Sequence, residues 1–189
     1  MLAVRKLTKS SLGKWQQAIA DDVSFEDLPF GLVREWVTED GAVSIYVIDD
    51  ETQLPSVSMA LTMLTGEGPK GGAFLVIPLD QLAELDVKKT PGATLSKAVD
   101  DRHYDVRLRK GGDLRLLVEA FLSGDIRSAS QEDALTCAVG AFDQGDYSVV
   151  DLAQKLKPKQ TDSQPQRVCS SAMKLVAGKH LSLPAQAIP

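Results

Sequence analysis

The clearest pattern of apolar and polar positions in this chain lies in residues 30–78. Two β-rich runs, residues 32–37 and 42–48, flank the stretch Thr38-Glu39-Asp40-Gly41. Asp-Gly between such runs predicts a hairpin, because Gly accepts positive φ without a Cβ clash. Pro55 opens a third run, in which Val57, Met59, Leu61 and Met63 alternate with Ser56, Ser58, Ala60 and Thr62. A period of two predicts a strand with one apolar face. A helix is the competing reading there, and Ser and Thr at alternate positions weigh against it. The Gly-rich stretch 66–72 reads as a loop, and residues 73–77 as a central strand buried on both faces.

The flanking segments alternate between short strands and helices. Residues 2–7 read as a short strand suited to a sheet edge. Ser10 offers a cap to a helix whose Leu12, Trp15 and Ile19 share a face, ending near Asp21. Residues 79–85 read as a short helix and residues 88–92 as a Pro-Gly turn. Thr94 is placed to cap a helix running to Val99, and Tyr104, Val106 and Leu108 alternate as a half-buried strand. Asp113 caps a helix with Leu114, Leu117, Val118 and Phe121 on one face, which Ser123-Gly124 stops. Ser130 and Asp133 resemble a capping box, followed by a face of Leu135, Ala138, Val139 and Phe142. Gly145 breaks that helix. Ser148 and Asp151 repeat the cap, with Val149, Leu152, Ala153 and Leu156 on the next face. A polar, proline-containing stretch, residues 157–166, precedes a third helix over residues 167–177.

These elements predict an α+β fold: an antiparallel sheet of about five strands with helices packed on one face, plus a small all-helical C-terminal part. The division is an acidic α+β domain at 1–128, a helical subdomain with a basic face at 129–181, and a frayed tail at 182–189. An apolar share of 43% is enough for a buried core. No apolar run approaches the roughly 20 residues needed to span a bilayer, and the first residues lack the apolar region of a signal peptide. No membrane contact is expected, and the cytoplasm is the expected setting.

Charge changes the picture more than composition does. The formal net charge is −5 over 189 residues. The segment 150–189 holds Lys155, Lys157, Lys159, Arg167, Lys174 and Lys179 against only Asp151 and Asp162, so it carries +4 and the remainder −9. Asymmetry of this kind points to a nucleic-acid or acidic partner for the basic part. Three C-terminal helices are compatible with a helix-turn-helix arrangement. Against it stand a connection of about ten residues where the motif uses 3–4, and a third helix with only Arg167 and Lys174 to reach bases.

Catalytic chemistry has thinner support. Asp49, His103 and Asp105 fall near predicted strand ends, and two carboxylates with an imidazole could hold a divalent metal or supply a general base. Runs of Asp at strand ends are more often solvated turns. The Gly-rich loop precedes a strand, whereas a phosphate loop needs a helix N-terminus. Cys137 and Cys169 read as buried thiols and form no Cys-x-x-Cys pair. Trp15 and Trp36 read as core or sheet-face residues, and aromatics at 5% are too few for a base-stacking surface. No cofactor is implied. The leading expectation is a non-enzymatic interaction or regulatory protein. It would bind a protein partner or its own copy, with nucleic acid as a further partner of the basic part. The alternatives are a metal-dependent hydrolase or nuclease using Asp49, His103 and Asp105, and a structural subunit of a larger assembly.

Overall fold

A computed structural model describes residues 1–36, 41–63, 70–92, 94 and 96–146. The chain runs β1 (Leu2–Lys6), α1 (Lys9–Ala20), α2 (Phe30–Arg34), β2 (Ala42–Ile48), α3 (Leu54–Met63) and β3 (Gly72–Pro78). It continues with β4 (Asp86–Lys89), α4 (Lys97–Asp100), β5 (His103–Arg107), α5 (Gly111–Leu122), β6 (Asp125–Ala129) and α6 (Gln131–Asp143). The strands form one sheet in the order β4-β5-β2-β1-β3-β6, and all neighbours are antiparallel. The α+β class with an antiparallel sheet is therefore observed, with six strands among the described residues.

β1 is the centre of the sheet and not its edge, pairing Leu2 with both Ile48 of β2 and Pro78 of β3. Its Arg5 and Lys6 resemble the charges that protect edges. Arg5 instead lies part-buried, donating to the carbonyls of Ser44 at 2.7 Å and Glu35 at 3.0 Å. β3 is an interior strand, as expected, with Phe74, Leu75, Val76 and Ile77 all buried.

Alternation along the strands feeds two apolar layers. Ala3, Val43, Ile45, Leu75, Ile77 and Val106 face one layer with Trp15 of α1, Leu32 of α2 and Leu117, Val118 and Phe121 of α5. Val4, Tyr46, Ile48, Phe74 and Val76 face the other, with Leu54, Val57 and Ala60 of α3 and Val99 of α4. Helices thus cover both faces of the sheet. α6 lies along α3, burying Ala134 and Ala138. Trp15 and Trp36 are core residues, with ring centres 5.5 Å apart.

Two of the expected strands are helices. Residues 30–34 form α2, entered from Pro29, and this places Leu32 and Trp36 four residues apart on one buried face. The spacing satisfies both a period of two and an i, i+4 helix, and burial against α1 and α5 decides for the helix. Gly41 does adopt positive φ, at 66°, and leads into β2, but the neighbour of β2 at that end is β5.

Residues 54–63 form α3 because this segment is covered on two sides, by the sheet and by α6. An apolar helix so enclosed needs no polar face. Its hydroxyls are satisfied locally. Thr62 Oγ1 donates to the carbonyl of Ser58 at 2.9 Å and accepts from the Lys70 N–H at 3.1 Å. Ser58 Oγ donates to the Lys70 carbonyl at 2.8 Å. The residues that suggested a strand therefore clasp the return of the chain into β3.

The remaining helices follow their caps. Thr8, not Ser10, caps α1 through the Ser11 N–H. Ser96, not Thr94, caps α4. Asp113 accepts from the N–H groups of Arg109 and Lys110 at the start of α5. Ser130 accepts from the Asp133 N–H at 3.0 Å, the expected cap of α6, and its hydroxyl donates to the Asp133 carboxylate at 2.6 Å.

Candidate functional site

The register of β2 against β5 sets Tyr46 opposite His103 and Ser44 opposite Asp105. The i, i+2 spacing on β5 turns His103 and Asp105 to the same face. His103 is only 5% exposed, and its ring packs edge-on to Tyr46 at 5.2 Å. Nδ1 lies 2.7 Å from the Thr90 carbonyl, which only accepts, so Nδ1 carries the proton. Nε2 then faces Asp105 Oδ1 at 3.8 Å. The imidazole acts as a clamp between β5 and the end of β4.

Asp49 does not join this pair. It lies beyond the end of β2, where Arg102 Nη1 approaches its carboxylate at 3.6 Å and Gln53 donates to it at 3.2 Å. Among the described residues, no group of three His, Cys, Asp or Glu side chains converges to hold a metal ion. Ser44 Oγ donates to Asp105 at 3.1 Å. A serine nucleophile needs its base to be the imidazole, and here the order is serine, carboxylate, imidazole. The Tyr46 phenol is held well above the ordinary tyrosine range, first by burial and then by the charges of Asp100 and Asp105. It remains a neutral group in the core.

Gly71 leads into β3, whose first residue is Gly72, so this end of the Gly-rich stretch meets a strand and not a helix N-terminus. The basic positions Lys155, Lys157, Lys159, Arg167, Lys174 and Lys179 lie outside the described residues, as do Cys169 and His180. No helix of the described residues is long and apolar enough to cross a membrane.

A cleft that the sequence did not announce lies between α3, α4 and α6. Its volume is about 580 Å³, and Ser56, Met59, Val99, Cys137, Gly140 and Asp146 are among its walls. Cys137 is half-buried there, not fully buried as expected, with Sγ 3.4 Å from Ser56 Oγ. At one rim, Gly145 takes a φ of 70° and the Asp146 N–H returns to the Ala141 carbonyl at 2.8 Å. The Asp146 carboxylate then accepts from Ser96 Oγ at 2.6 Å and the Ala98 N–H at 3.2 Å, tying the end of α6 to α4. The sequence signals for this cleft are small residues in an otherwise ordinary helix, Gly140 and Ala141, which periodicity alone does not single out.

Comparisons of the chain with protein-family models, with curated proteins and with solved structures find no match.

Proposed function

We propose that this chain is a non-enzymatic interaction protein. Its α+β body binds a protein partner or a second copy, and its basic C-terminal stretch contacts nucleic acid or an acidic partner surface. The observation that carries this reading is the charge division, +4 over residues 150–189 against −9 over the rest. A basic segment of this kind gains affinity by releasing counterions from a polyanion, independent of sequence. The acidic body is poorly suited to the same contact, so the two parts engage different surfaces. A cytoplasmic setting belongs to the same proposal.

Fluorescence anisotropy of the full chain with a random duplex, across a salt series, tests it. The expected result is a binding constant whose logarithm falls linearly with the logarithm of salt. Replacing Lys155, Lys157 and Lys159 together by Gln should make that slope shallower by about two to three units, each lost phosphate contact removing about 0.9. Absence of binding at low salt would remove nucleic acid from the proposal. The lysines would then be assigned to an acidic protein surface.

A further inference from the structure

We propose that the outer edge of β6 pairs antiparallel with β6 of a second copy of this chain, with Ile126 on the two-fold axis. The inference deepens the second-copy reading of the body and rests on it, and the nucleic-acid reading plays no part.

The phase of the ladder decides which groups of β6 are open. In an antiparallel sheet, successive residues turn their backbone N–H and C=O groups to alternate sides. The Leu7 N–H donates to the Ala73 carbonyl at 2.8 Å, one step beyond the paired Lys6 and Phe74. The backbone groups of Ala73 thus face β1, and those of Phe74 and Val76 face β6, where Arg127 and Asp125 oppose them. The N–H and C=O groups of Ile126 and Ser128 therefore point outward from the sheet. No strand among the described residues pairs with that side. An edge of this kind is a template for another strand. The opposite edge differs. The Thr90 N–H donates to the His103 carbonyl, which sets the backbone of Val87 outward, and the Val87 N–H is already held by the Leu85 carbonyl at 3.1 Å.

Charge selects the occupant. Asp125 and Arg127 are exposed on one face of β6, 2.9 Å apart, and Arg127 also bonds Glu51 at 2.9 Å. Pairing about Ile126 sets Asp125 of each copy opposite Arg127 of the other, and opposite charges in direct cross-strand register attract. Moving the axis to Arg127 would set two guanidinium groups against each other, and moving it to Asp125 two carboxylates. The strand is therefore complementary to itself in this register. On the other face of the strand, Ile126 lies half-buried at the margin of the layer that α5 covers. The two Ile126 side chains meet there and continue that layer across the axis. A strand of five residues makes a small contact, so the pair forms in a concentration-dependent way.

Sedimentation equilibrium of the full chain over a concentration series tests the pairing, with far-UV circular dichroism confirming that each variant is folded. The mass of the parent should rise from that of one chain to that of two. Asp125→Arg makes residues 125 and 127 both basic, and Arg127→Asp makes both acidic. Each variant alone should dimerise about tenfold more weakly or worse, because like charges then stand opposite. An equimolar mixture of the two should regain the dimer, since opposite charges face each other at both positions. Ser128→Pro removes an outward N–H, leaves the ladder to β3 intact and should also abolish the pair. A dimer that persists in every variant overturns the β6 contact and leaves the second-copy reading standing. A single-chain mass at every concentration overturns both. Mass that climbs past two chains overturns the contact as well, because a two-fold contact closes at the pair.

Discussion

The Arg5 guanidinium stands 4.7 Å from the centre of the Trp36 ring, on the face of the sheet that α1, α2 and α5 cover. One side chain of the central strand therefore fixes the end of α2, through the Glu35 carbonyl and the Trp36 ring, while also bonding Ser44 of β2. Burial pushes its pKa down to about 10, partly offset by the charge of Glu35, so it stays protonated at neutral pH. Arg5→Ala should destabilise the fold by about 2–3 kcal/mol, since two carbonyls and a ring lose a charged donor. Arg5→Lys keeps the charge but not the planar fork and should recover less than half of that loss. Urea unfolding followed by tryptophan emission measures both.

Tyr46 predicts an alkaline limit to stability. In the folded chain its phenol holds the proton well above the ordinary value, whereas an unfolded tyrosine loses it near pH 10. Above that value the unfolded state binds fewer protons than the folded state, so stability falls as pH rises; below it the contribution is complete. Tyr46→Phe keeps the ring against His103 and should leave the urea midpoint at pH 8 little changed. The fall between pH 8 and pH 11 should be visibly shallower than in the parent.

Gly124 sits where the turn from α5 into β6 presses on β3. An added Cβ would come within 2.4 Å of Ile77 Cγ2 and 2.6 Å of the Val76 carbonyl. Gly124→Ala should cost about 1–3 kcal/mol by overpacking, despite being a substitution toward a better helix former. Gly13, with nothing within 4 Å, is the control. Gly13→Ala in α1 should raise the thermal midpoint.

The hydroxyls of α3 should differ in importance. Thr62→Val retains the shape of a side chain 5% exposed but removes the hydroxyl that accepts from the Lys70 N–H, a loss of about 1–2 kcal/mol. Ser56→Ala removes, among the described residues, a weak hydrogen bond to Cys137 Sγ and should change stability by less than about 0.5 kcal/mol. Paired urea titrations give the contrast directly.

The separation of Asp49 from the His103 and Asp105 pair bears on the hydrolase alternative. Addition of Mg²⁺, Mn²⁺ or Zn²⁺ should leave the thermal midpoint unmoved, and Asp49→Asn should not alter that response. A metal-dependent rise in midpoint that disappears in Asp105→Asn would reinstate the site, because a ligand that binds only the native state must stabilise it.

What the sequence made legible depends on how strongly each segment's own pattern matched its surroundings. β2, β3, β5, α1, α5 and α6 carry the apolar spacing of the layer they face; Ser130 caps α6 and Gly124 follows α5 as residue chemistry suggests, whereas the cap of α1 falls on Thr8, two residues before Ser10. α2 and α3 are not legible in the sequence because Leu32 and Trp36, and the Ser and Thr of residues 56–62, fit two periods at once. Only the layers enclosing them resolve the choice. β4 and β6 leave no strand signal because edge strands suppress the pattern that identifies strands. Val87 is the sole apolar residue of β4, and β6 reads Asp-Ile-Arg-Ser-Ala. At the candidate site, the shared face of His103 and Asp105 follows from spacing. The distance of Asp49 from them, and the cleft beside Cys137, depend on how separate segments come together, and no local pattern records that.

The central place of β1 also bears on how the chain assembles during synthesis. β2 joins one side of β1 and β3 the other; β5 then extends the β2 side and β6 the β3 side. After β1, the strands β2, β3, β5 and β6 each come later in the chain than their neighbour on the side toward β1, so the order of synthesis matches the order outward from the centre. β4 is the exception, since β5, its neighbour among the described strands, is made after it. Lys88 and Lys89 of β4 are charges of the kind that guard an edge strand against pairing with another chain.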